Sequence, residues 1–196
     1  LDKIKIKSSN QNFFEGPFIF TPKRFFDERG FFYESWNKKI FDQFCKKNIN
    51  FVQENNSCSF LGVLRGLHFQ TDPFAQGKLV KVIKGEIYDV IVDLREKSKT
   101  FAQWALIKMS KKNRKQLWVP KGFAHGFITR TKTAEIQYKV TSFWNKNSEK
   151  TILWNDKDLN INWELDSLKC DNPIISQKDS EGSSLRFLQE QKALFS

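Results

Sequence analysis

The sequence predicts an all-β protein, an antiparallel sandwich or barrel with a few short peripheral helices. Three observations predict it. Between residues 79 and 144, short runs rich in β-branched and aromatic residues follow one another. Their connections are short and either polar or glycine-containing, as turns between strands require. Helical spacing of apolar residues is limited to an early stretch and a segment in the tail.

Taken in chain order, the early stretch is SWNKKIFDQFCKKN (35–48), where Trp36, Ile40, Phe41, Phe44 and Cys45 fall along one helical face. LVKVIKGEIYDVIVDL (79–94) reads as two β-runs hinged at Lys84-Gly85, expected to form a hairpin. In its second run Tyr88, Val90, Val92 and Leu94 share a face. Further strands are predicted at 101–109, 115–120, 126–130 and 134–144, with KKNRK (111–115) as a turn between strands. No period of self-similarity points to a solenoid or propeller. The tail SSLRFLQEQKALF (183–195) predicts a short helix packed on the outside or on a partner. Residues 1–196 are therefore read as one domain, with 180–196 as a helical appendage.

Composition narrows the function classes. The chain is 39% hydrophobic and 15% aromatic, with twenty phenylalanines and six tryptophans, which excludes a disordered chain or a coiled coil. A net charge of +11 favours an anionic partner, although lysines spread in ones and twos first suggest a solvated surface. Cys45, Cys58 and Cys170 form no CxxC pair and are odd in number, which disfavours a disulfide framework and predicts a cytoplasmic protein. No apolar run approaches a membrane span, and the opening LDKIKIKSSNQ lacks the apolar core of a signal peptide.

Only two histidines occur, His68 in GVLRGLHFQ and His125 in WVPKGFAHGFIT, each beside glycine and aromatic residues. A metal needs three or four converging donors, and isolated histidines without a His-x-His pair argue against a metal site. Proton transfer suits them better, because neutral imidazole accepts a proton near neutral pH when a carboxylate holds its tautomer. The plainer alternative is a hydrogen-bonded core histidine. In AEIQYKVTSFW, strand alternation puts Tyr138 on the inward face with Ile136 and Val140. There it serves either as core or as a proton donor to a ligand held in the barrel.

GVLRGLHFQ, AQGKLVKVIKGEIYDVIVDLR and WVPKGFAHGF, with DERGFFYES and FVQENNS upstream, occur in order. Together they resemble the signature blocks of the dTDP-4-dehydrorhamnose 3,5-epimerase family, from about residue 17 to about residue 165 and more weakly beyond. The resemblance implies a cupin-like jelly-roll homodimer without cofactor or metal. It further implies inversion of carbons 3 and 5 of a dTDP-linked 4-keto-6-deoxy hexose, with no nucleic-acid or membrane partner. By the same resemblance His68 is the general base, Asp179 of SQKDSEG its partner carboxylate, Tyr138 the acid and Lys78 the cation beside the C4 oxygen. His125 falls in the sugar pocket, and Arg29, Glu34, Gln53, Asn55, Arg65, Glu149 and Lys178 match nucleotide- and sugar-binding positions. Where the family commonly has two tyrosines, this chain has Phe143-Trp144, and Trp144 is expected to stack on the base. A relative that inverts one carbon, or that uses another nucleotide, is the nearest alternative, since it would share His, Lys and Tyr.

Overall fold

A computed structural model describes residues 3–168 and 172–196. Cys170, one of the three cysteines weighed above, lies outside the described residues. Two antiparallel sheets face each other. One has six strands in the order β1 (Ile4–Lys7), β2 (Phe13–Phe20), β10 (Gln116–Val119), β7 (Lys78–Lys84), β12 (Thr133–Val140), β5 (Gln53–Phe60). The other has five, in the order β13 (Glu149–Thr151), β6 (Leu64–Gln70), β11 (Phe123–Thr129), β8 (Glu86–Asp93), β9 (Trp104–Ser110). The strands β3 (Phe25–Asp27) and β4 (Gly30–Phe32) pair only with each other. This is the antiparallel jelly roll expected, built from strands that repeatedly change sheet.

The predicted hairpin at 79–94 is the exception. Both strands exist, but β7 pairs with β10 and β12 while β8 pairs with β9 and β11, so the chain crosses between sheets at Gly85. Gly85 has φ +76°, and a Cβ there would lie 2.2 Å from the carbonyl oxygen of Thr133, so glycine is required at the crossing. The local pattern could not reveal this, because β8 is buried on both faces. Ile87 and Ile91 point between the sheets, and Val90, Val92 and Leu94 point into a second apolar layer behind them.

That second layer is covered by the C-terminal third of the chain. Ile152, Leu159, Trp163, Leu185 and Leu188 pack there against Leu64, Leu67, Phe69 and Ile128. The tail helix α3 (Leu185–Glu190) supplies the two leucines, is capped by the Ser184 hydroxyl at the Phe187 amide, and is anchored where the Leu185 amide donates to Asp156.

The early helix α1 (Lys38–Cys45) covers the outer face of the six-stranded sheet, placing Phe41 among Phe18, Phe20, Leu79 and Trp118. It is shorter than 35–48 because Asn37 caps the Ile40 amide and Lys46 turns left-handed at φ 54°.

Candidate active site

Between the sheets the packed layer gives way to a cavity of about 420 Å3. Sheet membership decides which side chains face one another across it. β6, β11 and β13 supply His68, His125 and Glu149 from one wall, while β5, β7 and β12 supply Gln53, Asn55, Lys78 and Tyr138 from the other. His68 and His125 are register partners on adjacent strands. The glycines beside them make this possible: a Cβ on Gly66 would lie 2.6 Å from the Gly126 Cα, and one on Gly126 would lie 2.7 Å from the Arg65 carbonyl oxygen. Only two glycines allow these backbones to come so close.

Each histidine is backed by a buried carboxylate. His68 Nε2 lies 2.5 Å from Asp179 Oδ1, and the Gly66 amide donates to the same carboxylate at 3.4 Å. Burial pushes the Asp179 carboxyl up, but the hydrogen bonds and charge of His68, with help from Gly66 and Ser176, outweigh it and hold the group below its ordinary value. Asp179 is therefore anionic at neutral pH, and as an acceptor it suits the His68 tautomer with the proton on Nε2. Its helix α2 (Gln177–Ser180) is capped by Ser176 and held in place upstream, where Ile174 exchanges backbone hydrogen bonds with Gly62 and Leu64 at 2.9 Å. The second pair joins His125 Nε2 to Asp89 Oδ2 at 2.9 Å, with Asp89 fully buried.

Lys78 reaches into the cavity from the opposite sheet, its Nζ 3.4 Å from the His68 carbonyl oxygen. Burial pushes its ammonium down to about 8, against the opposing pull of Glu149 and Asp89. Tyr138 is raised above its ordinary value, chiefly by burial, so the phenol stays protonated and able to donate at neutral pH.

At the mouth, Trp144 donates its indole N–H to Glu149 at 3.0 Å, and Lys178 pairs with the same carboxylate oxygen at 2.6 Å. Burial raises Glu149, but Lys178 and Trp144 together bring it below its usual range, so this knot is ionic. Gln53 accepts the Trp144 amide at 3.3 Å and donates to Asn55 at 2.8 Å. Arg65 lines the same mouth, its Nε held by Ser59 at 2.9 Å.

The sequence-predicted residues thus fall into three groups. His68, Lys78, His125, Tyr138, Gln53, Asn55, Arg65, Trp144 and Glu149 line the cavity, while Asp179 and Lys178 reach it through His68 and Glu149. Arg29 and Glu34 do not line the cavity of their own chain. Arg29 is paired with Asp27 on the β3–β4 hairpin, and Glu34 just beyond it accepts from Asn37.

Two residues escaped the sequence reading. Asp89 is the one charged residue between the two acidic ends of β8, Glu86 and Asp93, which was the signal. Gln70 lies two residues beyond His68, on the same strand face, and its amide is fully used: it donates to the carbonyls of Phe74 (2.6 Å) and Phe143 (3.2 Å) and accepts from the Asn145 amide (2.8 Å). It clamps the loop that carries Trp144.

An imidazole backed by an anionic carboxylate, a protonated phenol on the opposite sheet and a half-buried lysine lining the same cavity make an enzyme-like site equipped to move protons on and off a bound molecule. The family model for dTDP-4-dehydrorhamnose 3,5-epimerase matches residues 12–186, and the chain belongs to that family, whose members are isomerases. It is 49% identical over 164 residues to a dTDP-4-dehydrorhamnose 3,5-epimerase of Shigella flexneri, covering 84% of this chain and 88% of the relative. Among solved structures, it is similar to the dTDP-6-deoxy-D-glucose-3,5-epimerase of Legionella pneumophila in complex with dTDP-4-keto-L-rhamnose. That likeness has a TM-score of 0.89 at 39% identity, over 99% of this chain and 97% of the other. A 3′-monoepimerase of Streptomyces bikiniensis in complex with dTDP-quinovose shares the fold more distantly, with a TM-score of 0.85 at 27% identity over 93% of this chain and 90% of the other.

Proposed function

We propose that this epimerase inverts C3 and C5 of dTDP-4-dehydro-6-deoxy-D-glucose to give dTDP-4-dehydro-L-rhamnose, using His68 as base and Tyr138 as acid. The observation that carries the reading is that these two side chains line one cavity from opposite sheets, with Lys78 in the wall beside them. The C4 ketone makes the flanking C–H bonds acidic. His68 removes the proton, the C–H electron pair moves into an enolate whose oxygen is stabilised by the Lys78 ammonium, and Tyr138 delivers a proton from the far face. Solvent then restores the proton of Tyr138 and takes that of His68. The substrate's own carbonyl is the electron sink, so the reading calls for no cofactor or metal.

The mouth suits the nucleotide. Trp144 is 56% exposed, which leaves its face free to stack on a base, and Arg65 and Lys178 offer cations to the pyrophosphate. If Gln70 fixes the Trp144 loop, Gln70→Leu should raise KM for the nucleotide sugar by roughly tenfold and change kcat much less. Steady-state kinetics check this, and an equal fall in kcat with unchanged KM would show that the clamp serves the chemistry instead.

The functional unit is read as a homodimer. Phe25 and Phe32, register partners on the β3–β4 hairpin, are 57% and 71% exposed, an apolar surface that a second copy would cover. Arg29 and Glu34, on and beside that hairpin, then serve the pocket of the second copy. The compartment is read as cytoplasmic, where the free thiols of Cys45 and Cys58 stay reduced. No described helix is long and apolar enough to cross a membrane.

The double-epimerase reading is favoured over a single inversion because the Shigella relative is much more similar to this chain than the monoepimerase is. Incubation with dTDP-4-dehydro-6-deoxy-D-glucose in D2O, read by NMR, tests it. Deuterium is expected at both C3 and C5, and label at C3 alone would reject it.

A further inference from the structure

The positive charge that the sugar pocket leaves unused converges elsewhere. A groove of about 720 Å3 lies between the base of the β3–β4 hairpin, strand β7 and the turn between β9 and β10. Its walls carry Arg24, Lys81, Lys111, Lys112, Arg114 and Lys115. One carboxylate, Glu86, shares the groove, and Lys108 already pairs with it at 3.0 Å. No residue lining the sugar pocket lines this groove.

Six cations drawn from three separate elements around one concavity repel each other unless an anion lies among them. Two of them also carry an unpaired donor. The Nε–H groups of Arg24 and Arg114 are buried from water with no hydrogen-bond acceptor among the described residues. Buried donors are nearly always paired, so two orphans lining the same groove point to an acceptor that arrives from outside. Both side chains are held in place. The Arg24 guanidinium lies 4.7 Å from the Phe26 ring centroid and 5.0 Å from that of Phe31, and Arg114 donates to the Lys112 carbonyl at 3.0 Å. On the hairpin side the rings of Phe31 and Tyr33 stack at 5.9 Å with an interplanar angle of 28°, forming an apolar wall beside the cations.

We propose that this groove is a second ligand site, which takes the oligophosphate of a nucleoside di- or triphosphate among the lysines and arginines and lays the base against Phe31 and Tyr33. Guanidinium forks suit phosphate oxygens, and the adjacent stacked rings suit a planar base. The cations surround a pocket instead of following a line, which favours a compact oligophosphate over a nucleic-acid strand. The site does not depend on the reaction assigned to the sugar pocket.

Amide chemical-shift titration of the full-length 15N-labelled chain tests the proposal, with inorganic tripolyphosphate and dTTP as probes. Tripolyphosphate should shift the amides of residues 111–115 and Gly85, and dTTP should add Phe31 and Tyr33. Lys112→Glu/Arg114→Glu should weaken both ligands at this site by roughly tenfold or more while leaving epimerase kcat/KM unchanged. Lys111→Glu/Lys112→Glu alters only exposed side chains and should weaken binding in the same direction, which covers the case in which loss of Arg114 disturbs the turn. Shifts confined to the sugar pocket, or groove shifts that survive both charge reversals, would overturn the site. Tighter binding of a single-stranded oligonucleotide than of dTTP at these residues would overturn the ligand class.

Discussion

Replacing His68 by asparagine is expected to lower kcat for epimerisation by roughly 10²–10⁴-fold and to abolish solvent exchange at both carbons together. Asparagine keeps a hydrogen bond toward Asp179 but cannot take a proton, so the variant removes the base while leaving little reason for the cavity to collapse. The carboxylate behind His68 makes the effect large. Asp179 is 3% exposed and meets the imidazole at 2.5 Å, so imidazolium formed during the reaction is stabilised by an anion that water screens poorly. Deuterium exchange on the variant, followed by NMR, checks the prediction. Exchange at either carbon at the wild-type rate would remove His68 from the role of base.

Lys78→Met is expected to cost a further large factor, on the order of 10²–10³ in kcat, the usual effect of removing one oxyanion donor. Its pH dependence separates this role from mere packing. Burial pushes the Lys78 ammonium down to about 8, so the free enzyme carries the positive charge below that pH and loses it as pH rises through that value. An uncharged amine stabilises an enolate far less, so kcat/KM should fall on the alkaline side of about 8 in the wild type. Residual activity in Lys78→Met should lack that limb. An identical alkaline limb in the variant would assign the titration to another group.

How much of this was legible in the sequence depended on the range of the interactions involved. Strands appear wherever local alternation or β-branched runs determine them, and Tyr138 faces inward as its alternation with Ile136 and Val140 requires. Which sheet each strand joins is set by pairing between distant residues. The run at 79–94 therefore looked like a hairpin although Gly85 sends its halves to different sheets. The histidines were legible because glycines flanked them, and the structure supplies the reason, since Gly66 and Gly126 meet where a Cβ would collide. Asp179 was hardest to place locally: its position comes from backbone bonds of Ile174 to Gly62 and Leu64, far away in the chain. Gln70 was passed over because its work is done for backbone groups of other loops, which no local motif encodes.

In the proposed inversion a proton leaves toward one sheet and another returns from the opposite sheet. Tyr138→Phe in D2O tests this most directly, because it removes the returning proton and spares the base. The variant is expected to wash deuterium into the recovered substrate through His68 while inversion falls by roughly two orders of magnitude or more. Formation of inverted, labelled product by Tyr138→Phe at the wild-type rate would contradict it.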